Sequence, residues 1–114
     1  MNIHKDIEKS SSHIVVEIIE YVSNAIVSRT IIKKTTGNIT ATSIATGEEL
    51  GEKIIPFDTY VQIIDGSAEV KIDDKIMMLS LGEGIIIPAH AKHKFVAHEQ
   101  FKMITTVIKS GYDD

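Results

Sequence analysis

Residues branched at Cβ dominate this chain. Ile, Val and Thr make up one third of its 114 residues, whereas leucine occurs only at Leu50, Leu79 and Leu81. Branching at Cβ restricts the side-chain rotamers a helix tolerates and suits the pleated surface of a strand. The chain is therefore expected to be all-β. At 12.6 kDa it has room for one domain, which buries about two thirds of its extended-chain surface on folding. There is no cysteine, so disulfides, thiolate zinc sites and cysteine nucleophiles are excluded. A net charge of -4 argues against nucleic acid as a partner. No apolar run reaches the roughly 20 residues that span a bilayer, and the first residues contain no apolar signal core. No membrane association is expected, and the cytoplasm is the expected compartment.

Breakers divide the chain into short extended runs. Residues 1–24 form an N-terminal segment, expected to be partly disordered or to pack on the remainder. Residues 25–110 form the single domain, and 111–114 a C-terminal tail. Within the first segment, residues 14–22 fit two periods. Ile14, Ile18, Tyr21 and Val22 line one helical face with Ser12 as a possible N-cap, yet the same run fits a strand. Beyond Ala25 the pattern is extended. Runs from Ile26 and from Ile39 form a hairpin about Lys34 to Asn38, and later runs are punctuated by Gly47, Pro56, Gly66, Asp73, Gly82, Gly84 and Pro88. Nine or ten short strands imply a sandwich or barrel that manages its edges by closure. Consecutive apolar pairs such as Ile31-Ile32 and Ile63-Ile64 place apolar side chains outside the barrel as well as inside. A second copy of the chain, forming a homodimer, is the expected cover; the N-terminal segment of the same chain is the alternative.

The spacing of these breakers resembles that of the cupins, small double-stranded β-helix or jelly-roll barrels. Gly47 and Gly66 bracket the first cupin motif at the expected separation, and Gly82, Pro88 and His93 reproduce the second. The resemblance runs from about Ile26 to Ile108. It is nearest to the small RmlC-like, cupin 2 conserved-barrel type, on the segments Pro56-Phe57-Asp58 and Phe101-Lys102-Met103. It implies a barrel whose metal ligands, where a metal is bound, would fall at Lys53, Ile55, Thr59 and His93. Protonated lysine and isoleucine offer no lone pair and a threonine hydroxyl is a weak donor, so only His93 is a good ligand. The motif is degenerate, His90 and Ala97 also replacing its usual Gly and Asn. No metal cofactor is expected. An alternative set of His90, His93 and His98 would suit zinc or nickel if the three converged.

The same register points Lys53 and His93 toward one cavity, walled by Ile55, Thr59, Val61, Ile63, Phe95 and Met103. Cationic donors in an apolar wall suit a small anionic or carboxylate ligand. Alternatively, Lys53 snorkels to the rim and apolar side chains fill the barrel. The expected role is a small-molecule-binding or structural cupin. The alternative is an enzyme acting on a small carboxylate or sugar, with His93 as acid or base and Lys53 stabilising negative charge, or through the unconventional histidine set. His4 and His13 lie in polar surroundings and are read as solvated. Glu48, Glu49, Glu52 and Asp58 are read as solvated charge, and the acidic glycine turns make poor phosphate cradles.

Overall fold

The computed structural model describes residues 2–3 and 5–112. Ten strands occur among them: β1 (Asn2–Ile3), β2 (Ile26–Lys34), β3 (Gly37–Ile44), β4 (Glu49–Ile54), β5 (Asp58–Asp65), β6 (Ala68–Ile72), β7 (Lys75–Leu79), β8 (Gly84–Ile87), β9 (Lys92–Val96) and β10 (Phe101–Ile108). They form a six-stranded sheet in the order β1-β2-β3-β10-β5-β8 and a four-stranded sheet in the order β4-β9-β6-β7. All pairings are antiparallel except β1 with β2. The first hairpin is tighter than its sequence suggests, because Lys34 and Gly37 are already paired. Sequential neighbours repeatedly lie in different sheets, which is the jelly-roll arrangement. No helix among the described residues is long and apolar enough to cross a membrane.

Strand parity builds the core. Along β5, Thr59, Val61 and Ile63 are buried while Tyr60 is 44% exposed, as expected when alternate side chains point to opposite faces. Val61, Ile63, Phe101, Met103 and Ile44 from one sheet meet Val70 and Phe95 from the other. Each such burial contributes roughly 1.5–3 kcal/mol. The turn after β5 depends on Gly66, which has a φ of +71°. A Cβ there would lie 2.4 Å from the Gln100 carbonyl oxygen, so the turn cannot close over any other residue.

Residues 14–22 form neither an α-helix nor a strand. They contain a single 3-10 turn, Val15–Glu17, whose N-cap position falls on Ile14 rather than Ser12 and has no side-chain cap. The turn sits beside β5, and side chains rising from the six-stranded sheet hold this segment. Lys102 Nζ donates to the Val16 carbonyl at 2.7 Å, Arg29 Nη1 to Ile18 at 3.1 Å, and Ser43 Oγ to Glu20 at 2.8 Å. These carbonyls alternate along the chain, so one edge of the segment is tied down while Ile18 and Ile19 bury against Ala41. Ahead of the segment, Ile7 N–H donates to Ile31 and Lys33 N–H to Asp6 Oδ1, extending the line of β1 along β2.

The segment is also held by Tyr21, whose hydroxyl donates to Asp65 Oδ2 at 2.6 Å. Its titration is driven well above the ordinary phenol range by burial, then by the hydrogen bond to Asp65 and that carboxylate's charge. The folded state therefore keeps a proton that the unfolded chain releases above about pH 10. The stabilisation is complete below that pH and declines as pH rises toward the folded value. Tyr21→Phe is expected to cost about 1 kcal/mol at pH 7 and to weaken the alkaline fall in stability. Urea unfolding of both proteins at pH 8 and at pH 11 checks this, and parallel losses for the two would contradict it.

Candidate functional site

One end of the barrel gathers the β4–β5 loop, the β8–β9 turn and the residues after β10. Strand β9 turns His93 and Phe95 inward between the more exposed Lys92, Lys94 and Val96. His93 is 6% exposed. Its Nδ1 lies 3.2 Å from the Ala91 carbonyl oxygen. A carbonyl only accepts, so Nδ1 carries a proton here. The Phe95 ring meets the imidazole edge-on, with centroids 6.1 Å apart, and fixes its plane.

From the opposite sheet, Thr59 points into the same barrel. It pairs with Ile87 on β8 and Val107 on β10 and is 5% exposed. Its Oγ1 is buried with no hydrogen-bond partner among the described residues. Leaving a buried hydroxyl unpaired costs about 1–3 kcal/mol, so this atom is a donor that a polar partner would satisfy. Its signal was absent from the sequence, because satisfaction depends on what strands distant in sequence bring alongside.

The remaining residues of the motif occupy the rim and the floor. Lys53 is the direct register partner of His93, and directly opposed residues of an antiparallel pair share a face. The lysine is exposed and makes no ion pair among the described residues. Ile55 is half-buried, and its carbonyl accepts from His90 N–H at 2.8 Å, tying the β4–β5 loop to the β8–β9 turn. Val61, Ile63, Phe95 and Met103 lie in the packed core, none more than 3% exposed.

The three histidines of the alternative metal set do not converge. His98 is exposed and bonded to Glu69 at 2.8 Å. It lies five positions beyond His93, roughly 16 Å along an extended chain. His90 is exposed on the turn. Among the described residues no group of three or more His, Asp or Glu is placed to hold a metal. Glu49 meets Lys94 at 3.5 Å and Asp58 Oδ1 accepts from Ala89 N–H, so neither belongs to an acid-base pair. His13 is exposed, and His4 lies outside the described residues.

The architecture is shared with solved structures. A conserved protein of unknown function from Streptococcus pyogenes superposes with a TM-score of 0.88 at 28% identity, covering 98% of each chain. A cupin superfamily protein from Desulfitobacterium hafniense DCB-2 gives a TM-score of 0.86 at 24% identity, over 93% of this chain and 97% of that one. This chain has the cupin fold. A cupin 2 conserved barrel domain protein from Leptotrichia buccalis matches at 30% identity and a TM-score of 0.79, over 82% of this chain and 46% of that one. No family model and no curated protein matches the sequence.

Within that fold, the donor set does not fit the metal that the motif holds in metal-bearing cupins. Lys53, Ile55 and Thr59 place a cation, a hydrocarbon and an orphan hydroxyl where ligands would stand, leaving His93 alone. The cupin-fold chain is therefore a barrel with a degenerate metal motif. Thr59→Val removes the unpaired hydroxyl with little change of shape and is expected to stabilise the protein by about 1 kcal/mol. A higher urea midpoint at unchanged m-value would show this, and a comparable loss would show that the hydroxyl is already satisfied.

Proposed function

We propose that this chain is a small-molecule-binding cupin that works without a resident metal, and that its ligand is a small anion such as a carboxylate. The observation that carries this reading is the orphan hydroxyl of Thr59, buried in a barrel that also holds His93 with Nδ1 already committed to a carbonyl. A carboxylate oxygen accepts from the Thr59 hydroxyl, and Lys53, on the His93 face of its strand pair, supplies the opposite charge. The half-buried Ile55 and the packed floor below exclude water from one side of the ligand. Titration with acetate and succinate is expected to move the His93 ring resonances in NMR spectra. Lys53→Met is expected to weaken the effect about tenfold, equivalent to roughly 1.4 kcal/mol. Unmoved His93 resonances at millimolar acetate and succinate would overturn the reading.

We also propose that the chain acts as a homodimer through the outer face of its six-stranded sheet. The N-terminal segment covers part of that face around Ala41. An adjacent cross-strand row remains open: Ile32, Ile39, Thr106, Tyr60 and Ile86, in that order across β2, β3, β10, β5 and β8. Tyr60 and Ile86 are 44% and 63% exposed. The row has apolar pairs either side of a central threonine, so a two-fold axis along β10 lays each pair on its counterpart. The next row begins with Lys34 and ends with Asp58, and the same axis sets the lysine of one copy across the interface from the other's aspartate, offset sideways by one strand. Strand β8 offers no charged residue to guard its edge. Sedimentation at micromolar concentration is expected to give twice the 12.6 kDa chain mass and to give the single-chain mass for Ile86→Lys. A wild-type monomer would refute this interface.

A further inference from the structure

A cleft of about 560 Å³ opens at the same barrel end and shares no lining residue with Lys53, Thr59 and His93. We propose that it is a second binding site, one that takes a small aromatic carboxylate. Three segments distant in sequence form it: Pro56 and Phe57 from the β4–β5 loop, His90 from the β8–β9 turn, and Lys109, Ser110 and Tyr112 after β10. Its volume falls within the roughly 300–1,000 Å³ typical of small-molecule sites.

Its walls are held in place before any ligand arrives. His90 N–H donates to the Ile55 carbonyl at 2.8 Å, Ala89 N–H to Asp58 Oδ1 at 2.8 Å, and Lys109 N–H to the Thr36 carbonyl at 2.8 Å. The Tyr112 hydroxyl accepts from Asp58 N–H at 2.7 Å and donates to the Ile108 carbonyl. Both hydrogen-bonding roles of that hydroxyl are filled, so the C-terminal chain is folded back onto Phe57. Preorganisation of this kind lowers the ordering cost of binding.

The chemistry of the cleft selects a flat ring bearing negative charge. The Phe57 and Tyr112 rings stand 6.0 Å apart at 47°, and with Pro56 they offer aromatic and apolar walls. Lys109 Nζ lies 6.0 Å from the centre of the Phe57 ring and has no carboxylate partner among the described residues. A ring set against Phe57 therefore brings its carboxylate to the Lys109 ammonium, with the Ser110 hydroxyl and the His90 imidazole as further donors. Asp58 is the nearby acid, and its Oδ1 is occupied by the Ala89 amide. His90 holds a φ of +71°, a left-handed conformation that glycine adopts freely and histidine enters more readily than most residues.

Benzoate is the probe, with cyclohexanecarboxylate lacking the aromatic ring and benzyl alcohol lacking the charge. In 1H–15N spectra, benzoate is expected to shift the amides of Phe57, His90, Ser110, Gly111 and Tyr112, with each comparison probe binding about tenfold more weakly. Lys109→Gln is expected to weaken benzoate by a similar factor. His90→Gly relieves the backbone, so it keeps the fold while removing the imidazole, and is also expected to bind benzoate more weakly. Absence of shifts at these amides in millimolar benzoate would overturn the site, as would unchanged affinity in Lys109→Gln. Shifts confined to Lys53, Thr59 and His93 would overturn this site while supporting the barrel-mouth reading, so the two proposals fail separately.

Discussion

The structure rests on the dry contact between its two sheets. Val61, Ile63, Phe101, Met103 and Ile44 close against Val70 and Phe95, and these side chains are buried almost completely. Because side chains alternate along a strand, filling the interior with them determines which residues face outward at every other position. It also sets how deep a ligand can go, since the packed layer begins at Val61 and Phe95, one inward position below Thr59 and His93. The motif residues Thr59 and His93 are thus confined to the layer above it. The glycine at the β5 turn and the charged residues of edge strand β4 hold the ends and edges of the same barrel in register.

That confinement gives the degenerate motif its chemical character. A metal site requires several convergent lone pairs, whereas the four motif positions supply a lysine ammonium, an isoleucine, an unpaired threonine hydroxyl and one imidazole. Such a set donates hydrogen bonds and positive charge rather than electron pairs, apart from the His93 imidazole. An anion is complementary to it and a cation is not. The outer face follows a different logic, because Lys102 Nζ, Arg29 Nη1 and Ser43 Oγ each donate to one of the alternating carbonyls of Val16, Ile18 and Glu20. The covering segment is consequently fixed by side-chain hydrogen bonds to its backbone as well as by the burial of Ile18 and Ile19.

Much of this was legible in the sequence. The excess of β-branched residues and the spacing of Gly and Pro were enough for an all-β sandwich or barrel, because both act locally through rotamer and backbone limits, and the jelly roll was implied by the resemblance to cupins. Residues 14–22 were ambiguous for an equally physical reason. Their apolar spacing satisfies two periods, and the segment is held by side chains outside it, among them Lys102, which is remote in sequence. At the candidate site, the register implied by the cupin resemblance set Lys53 and His93 toward one cavity, and the structure makes them direct strand partners. The unpaired state of the Thr59 hydroxyl depends on neighbours from β8 and β10 and leaves no trace in composition. The cleft around Phe57 is the extreme case, since Tyr112 lies 54 positions from its hydrogen-bond partner Asp58.

The central claim is that the barrel works without a resident metal because its donor set cannot hold one. The most direct test is the metal content of tag-free protein, purified without added metal or chelator and measured by inductively coupled plasma mass spectrometry. The expected result is a content far below one transition-metal ion per chain. A stoichiometry near one ion per chain, retained through dialysis, would contradict the claim and would require ligands other than the four residues of the cupin motif.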